Sequence, residues 1–143
     1  MTATPFQATW TPRALGILRI VAGYLLIAHG TAKLLGFPHV AMFDNLQAWS
    51  LPWIAGVLEL VGGGMLIVGL FTRPVAFILS GLMAFAYFIG HASQGTPLLP
   101  LLNQGELAAL YSFVFLFFAA AGGGSWALDN VIGGRGARHL QPA

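Results

Sequence analysis

The chain has no cysteine and very few charged residues. Of its 143 residues, six are Lys or Arg and four are Asp or Glu, whereas 57% are hydrophobic and the mean hydropathy is +0.81. The missing cysteine excludes disulfides, thiolate metal sites and iron–sulfur clusters. The basic residues are too few and too scattered to bind nucleic acid. A soluble protein carries about a quarter charged residues, so we expect the lipid bilayer to be the solvent of this chain.

Four apolar segments are candidates for crossing a bilayer, which takes about 20 residues of helix. They cover residues 15–35, 53–71, 74–92 and 106–122. Only helices or closed barrels can span lipid, and long unbroken apolar runs indicate helices. The sequence therefore predicts an all-α integral membrane protein, a four-transmembrane-helix bundle. It would form a single membrane domain over residues 1–143, with a short tail at 125–143 and no room for a separate catalytic domain.

The placement of Lys and Arg in the loops predicts the orientation. Arg13, Arg73, Arg135 and Arg138 flank the spans on one side, whereas the connections 36–52 and 93–105 contain no Lys or Arg. Because basic residues favour the cytoplasmic side, both termini and the turn at Arg73 are predicted to be cytoplasmic. The outer connection 36–52 is either a short interfacial helix or an irregular capping loop.

The candidate functional residues are the ionisable side chains in or at the ends of the spans, since charge inside a bilayer is costly. They are Arg19, His29, Lys33, Glu59, His91 and Glu106. A helix rise of 1.5 Å per residue places His29 and Glu59 at matching depth, roughly 9 Å below the outer boundary. Lys33, His91 and Glu106 would lie nearer that boundary, and Arg19 in the inner half.

Such an outer cluster is suited to handling protons and to holding the polar head of an amphipathic ligand such as a quinone. The small residues on the Glu59 side of its helix predict close packing against another helix.

The same residues also have structural interpretations. Lys33, His91 and Glu106 could snorkel or cap at the interface, and Glu59 could form a structural pair with Lys33 or Arg19. A haem b ligated by His29 and His91 is a further alternative. No other metal site is predicted.

Short motifs in a set order resemble those of the DoxX family over roughly residues 15–130. They are Leu18-Arg19-Ile20, Ala28-His29-Gly30, Lys33-Leu34, Glu59 with Gly62-Gly63, the turn 69–73, Gly105-Glu106 and the closing segment 124–129. Members of that family are small four-helix bacterial inner-membrane proteins, named after a subunit of an archaeal thiosulfate:quinone oxidoreductase. Some relatives associate with oxidoreductases. The resemblance implies a multi-pass protein of a bacterial or archaeal cytoplasmic membrane.

Together these observations predict a membrane subunit of an oxidoreductase complex, with a quinone or similar amphipathic ligand near the outer cluster. Such a subunit is at most non-catalytic or quinone-interacting, and it would act with a redox protein partner or as a homo-oligomer. Two alternatives stay open: an assembly or scaffold membrane protein without chemistry, and a small oligomeric proton-coupled carrier.

Overall fold

The computed structural model describes residues 4–138, with side chains as far as residue 133. Its five α-helices are α1 (Pro5–Leu35), α2 (Leu51–Val68), α3 (Thr72–Phe85), α4 (Glu106–Ala121) and α5 (Leu128–Arg138). A π-helix, Ala86–His91, and a 3₁₀ helix, Ala92–Gln94, continue α3. No strand occurs among the described residues.

Among the described residues, three helical segments are long and apolar enough to cross a membrane: Pro5–Leu35, Leu51–Val68 and Thr72–Gln94. The fourth apolar helix, Glu106–Ala121, is shorter. The predicted all-helical membrane protein is confirmed at this level, whereas the sides on which its termini lie stay a prediction.

Helix α1 begins well before the predicted start at residue 15 because its first turn is capped. The side chain of Thr4 accepts a hydrogen bond from the N–H of Gln7, and the Gln7 side chain accepts one from the N–H of Thr4. Such a capping box satisfies N–H groups that have no partner within the helix. The helix ends at Leu35, because Gly36 adopts a left-handed conformation (φ 67°) and its N–H donates to the carbonyl of Thr31.

The chain divides into two compact units, one formed by residues up to 72 and from 123 on, the other by residues 73–122. In the first unit, α1 and α2 pack backbone against backbone. A Cβ atom on Gly23 would lie 2.7 Å from the carbonyl oxygen of Gly63, and one on Gly30 would lie 2.7 Å from the nitrogen of Leu60. The predicted close packing of the Glu59 face is therefore confirmed, and Glu59 is buried.

The turn between α2 and α3 comprises residues 69–71, whereas the sequence predicted it at residues 72–73. Helix α2 ends at Val68 because Gly69 adopts a left-handed conformation (φ 70°) and its N–H donates back to Leu66. Helix α3 already begins at Thr72, where the carboxylate of Asp129 accepts hydrogen bonds from the N–H groups of Phe71 (2.7 Å) and Thr72 (2.8 Å). A carboxylate at this position satisfies helix N–H groups that otherwise have no partner.

Two predicted loops acquire local structure. The predicted tail 125–143 contains helix α5, and its residues 139–143 lie outside the described part of the chain. The outer connection 36–52 contains one 3₁₀ turn, Ala41–Phe43, and is otherwise irregular until α2 begins. This connection is therefore mainly a capping loop and not a continuous interfacial helix.

Candidate functional site

The first unit contains an ion pair between the end of α1 and the first half of α2. Lys33, in the last turn of α1, donates from Nζ to both carboxylate oxygens of Glu59, at 2.6 Å to Oε1 and 2.8 Å to Oε2. The side chains of Lys33 and Glu59 are only 13% and 5% exposed. An ammonium group has three N–H donors, so one donor of Lys33 remains for a further acceptor.

A cavity of about 270 Å³ adjoins this ion pair. Lys33 belongs to its wall, and the outer connection supplies much of the rest of the lining: Ala32, Lys33, Leu34, Gly36, Val40, Phe43, Asp44 and Leu46. The Nζ atom of Lys33 lies 5.7 Å from the centre of the Phe43 ring, within the range of a cation–π contact. The cavity thus combines an ammonium donor, a carboxylate, an aromatic ring and aliphatic walls.

Asp44 is a polar wall residue that the sequence analysis did not select. Its Oδ1 atom lies 2.9 Å from Nε2 of His39, and both side chains are largely exposed, at 51% and 71%. Neither residue lies in an apolar span, so neither counts as a costly charge inside the membrane. The sequence does place Asp44 and His39 in the connection that begins just after Lys33, and this proximity could have indicated them as site residues.

His29 does not join the Lys33–Glu59 pair. It lies one turn before Lys33 on α1, its side chain is exposed, and it makes no side-chain hydrogen bond within the described residues. The sequence predicted that His29 and Glu59 lie at the same depth. In agreement with this, Gly30, the residue after His29, packs against Gly56 and Leu60 of α2.

Arg19 is fully buried in the first unit, far from the cavity, and its guanidinium binds backbone carbonyls. Nε donates to Gly123 at 2.8 Å, Nη1 to Ile67 at 2.8 Å and to Leu66, and Nη2 to Ser125 at 3.3 Å and Trp126 at 3.2 Å. Because Ile67 belongs to the last turn of α2, Arg19 satisfies a carbonyl that the helix leaves free, and it adds a second donor to the carbonyl of Leu66, which also accepts from Gly69. Its contacts therefore hold the segment 123–126 against the end of α2.

Asp129 completes this arrangement outside the spans. Partial burial raises the pKa of Asp129, but hydrogen bonds from the N–H groups of Thr72 and Phe71, together with the charge of Arg19, outweigh burial. The pKa of Asp129 therefore lies below its usual value of 3.8. We name the contacts of Arg19 with these carbonyls and of Asp129 with the 71–72 turn the Arg19–Asp129 clamp.

The two remaining predicted site residues, His91 and Glu106, lie in the second unit and do not pair with each other. His91 is the last residue of the π-helix, and its Nδ1 lies 3.1 Å from the carbonyl oxygen of Asn103. Glu106 is exposed in the first turn of α4, where a negative charge favours the helix dipole. His29 and His91, the alternative haem ligands, belong to different units. No group of three metal-ligating side chains occurs among residues that the structure describes.

Comparison with known proteins assigns the family. The DoxX family matches residues 14–92. A protein of Haemophilus influenzae, described as an uncharacterized protein, is 51% identical over 124 residues, which are 85% of this chain and 92% of that relative. No solved structure matches the chain. With its apolar helices and this match, the chain is a multi-pass membrane protein that belongs to the DoxX family.

Proposed function

We propose that this protein is a membrane subunit of an oxidoreductase complex that binds the head group of a quinone-type lipid in the cavity beside Lys33. The observation that carries the proposal is the juxtaposition of a buried ion pair and a cavity of about 270 Å³ that share the Lys33 side chain. Ionisable residues inside a membrane protein mark ligand and proton pathways by default.

The cavity has the chemistry that a ring-shaped head group needs. The donor of Lys33 that Glu59 leaves free can bind a carbonyl or hydroxyl oxygen of the ring, and Phe43 offers an aromatic face. Leu34, Val40 and Leu46 provide apolar contacts.

We expect the electrons of quinone chemistry to come from a second protein. Conversion of a quinone to a quinol consumes two electrons and two protons, and the chain has no cysteine with which to hold an iron–sulfur cluster. A redox protein that docks on the outer side would exchange the electrons, while this chain binds and orients the head group.

The first test is the identification of lipids that copurify in mild detergent. We expect quinone at near-equimolar ratio in the extract of the native protein, and its loss in a folded Lys33→Met variant. The matched control is Glu106→Gln, which alters an exposed carboxylate of the second unit and should keep the quinone. Native protein without quinone, or quinone retained equally by both variants, contradicts the proposal.

The proposed site requires that the connection 36–50 lies on the outer side, with both termini in the cytoplasm. The chain has no cysteine, so single cysteines can be introduced without removing native ones. A cysteine at Asn45 should react with an impermeant maleimide in intact cells, and one at Asn130 only after the membrane is permeabilised. The reverse pattern places the cavity on the cytoplasmic side.

The alternative of a scaffold without chemistry has one observation in its favour. Lys33 and Glu59 neutralise each other, and Arg19 is satisfied by carbonyls, so the buried charges already have partners within the chain. Under this alternative, native protein is empty, and Lys33→Met affects stability without affecting any quinone-dependent activity of the complex.

A further inference from the structure

The cavity beside Lys33 presents a hydrogen-bond donor and a hydrogen-bond acceptor to the same space. Lys33 contributes an ammonium group, which can only donate, and Asp44 contributes a carboxylate, which when ionised can only accept. Both residues line the cavity, Lys33 from the end of α1 and Asp44 from the outer connection that covers it.

Asp44 has a defined partner on its other side. Nε2 of His39 lies 2.9 Å from Oδ1 of Asp44, so one carboxylate oxygen is engaged and the second remains for a ligand. The 3₁₀ turn Ala41–Phe43 lies between the two residues and brings them together. His39 is thus a positioning residue for Asp44, and neither residue belongs to a membrane span.

We propose that the Lys33–Asp44 cavity selects the reduced, hydroxylated form of the ring head group, a quinol, over the oxidised quinone. This inference rests on the proposed function and specifies which redox form the site prefers. A quinol has a hydroxyl oxygen that accepts from Lys33 and a second hydroxyl that donates to Asp44. A quinone has only carbonyl acceptors, so its second oxygen would face the carboxylate with no hydrogen between them.

The size of the preference for quinol depends on the hydrogen bond to Asp44 that a quinol can make and a quinone cannot. Hydrogen bonds to charged groups are stronger than those between neutral groups, and facing two acceptors against each other loses the bond entirely. Because Asp44 is half exposed, water reduces the difference. We therefore expect quinol to bind about tenfold more tightly than quinone.

The experiment compares two short-chain probes, a ubiquinol and a ubiquinone with the same alkyl tail, binding to full-length protein in nanodiscs under anaerobic conditions. Dissociation constants are measured for the native protein, Asp44→Asn and Asn45→Ala. Asparagine keeps the size of the side chain but offers an N–H₂ donor, which suits a carbonyl. We expect the preference for quinol to fall to near unity in Asp44→Asn and to persist in Asn45→Ala, whose residue does not line the cavity.

Two variants of His39 separate the orientation of Asp44 from its charge. His39→Gln retains a side chain that can donate to Asp44 and should retain most of the preference, whereas His39→Ala should reduce it. Both residues are largely exposed, so the fold should survive these changes. Equal Kd values of the two probes in the native protein, or an unchanged preference in Asp44→Asn, overturn the inference while leaving a quinone-type site. Binding of neither probe overturns the proposed function as well.

Discussion

Lys33 and Glu59 share two hydrogen bonds across the contact between α1 and α2, at 2.6 and 2.8 Å. Both groups are nearly withdrawn from solvent, and the helices approach so closely at Gly30 that a Cβ there would meet the backbone of α2. The pair therefore lies where the two backbones leave little space for water. Each charge of the pair is therefore stabilised by the other, and a ligand in the adjoining cavity would add a contact to Lys33.

Removal of one partner of this pair should destabilise the protein more than removal of both. Glu59→Gln leaves the ammonium of Lys33 without a counter-charge, which typically costs about 3 kcal/mol at a buried site. The double variant Lys33→Met, Glu59→Gln leaves no uncompensated charge, and we expect it to be more stable than Glu59→Gln alone. Unfolding by a denaturing detergent, followed by circular dichroism, measures the free energies of unfolding of the native protein, of Lys33→Met, of Glu59→Gln and of the double variant. A double variant as unstable as the sum of both single variants contradicts this account.

The consecutive glycines Gly63 and Gly64 allow a matched comparison on α2. A Cβ on Gly63 would lie 2.8 Å from the carbonyl oxygen of Gly23, whereas nothing lies within 4 Å of one on Gly64. Gly63→Ala should therefore force α1 and α2 apart and lower the melting temperature in detergent. Gly64→Ala should leave stability unchanged or raise it by about 0.5–1 kcal/mol through higher helix propensity. Equal effects of the two substitutions are inconsistent with backbone contact at Gly63.

The Arg19–Asp129 clamp predicts that Arg19 cannot be replaced by lysine. The guanidinium donates to five carbonyls, and an ammonium has only three donors on a point charge. We expect Arg19→Lys to cost at least about 3 kcal/mol in unfolding experiments, since several buried carbonyls lose their donor. Arg13→Lys, which changes an exposed arginine six positions earlier on the same helix, should stay within about 0.5 kcal/mol of the native protein. Similar losses from both variants argue against the clamp.

Asp129 gives this arrangement a predictable dependence on pH. A carboxylate whose pKa is lower in the folded protein contributes stability above its unfolded pKa, and that contribution is lost as the pH falls through the folded pKa. The pKa of Asp129 lies below 3.8, so at pH 7 the native protein should be more stable than Asp129→Asn. This difference should shrink as the pH falls below about 4. Melting temperatures of both proteins from pH 7 to pH 3 test the prediction, and a margin that grows on acidification refutes it.

The sequence predicted the elements whose signal is local. Apart from the start of α1, apolar runs located the ends of the helices to within a few residues, because a helix in lipid must satisfy its backbone within itself and present apolar side chains. The small residues near Glu59 correctly indicated close helix packing. The predicted start of α1 was too late, because the first turns of the helix contain too few apolar residues to resemble a membrane span. The Thr4–Gln7 capping box stabilises these turns.

The choice of partners required the tertiary structure. The sequence left Glu59 to pair with either Lys33 or Arg19, and the contact between α1 and α2 brings it to Lys33. Arg19 instead reaches Gly123, which lies 104 residues further along the chain, and no periodic pattern encodes such a contact. Asp44 lines the cavity because of the path that the irregular connection between α1 and α2 takes.

By itself the sequence thus determined that lipid surrounds the protein, where the apolar helices lie and which ionisable residues fall within them, because these follow from hydropathy and helical period. Only the tertiary structure decided which polar groups meet, because hydrogen bonds of fixed length depend on how the helices and loops are placed in space.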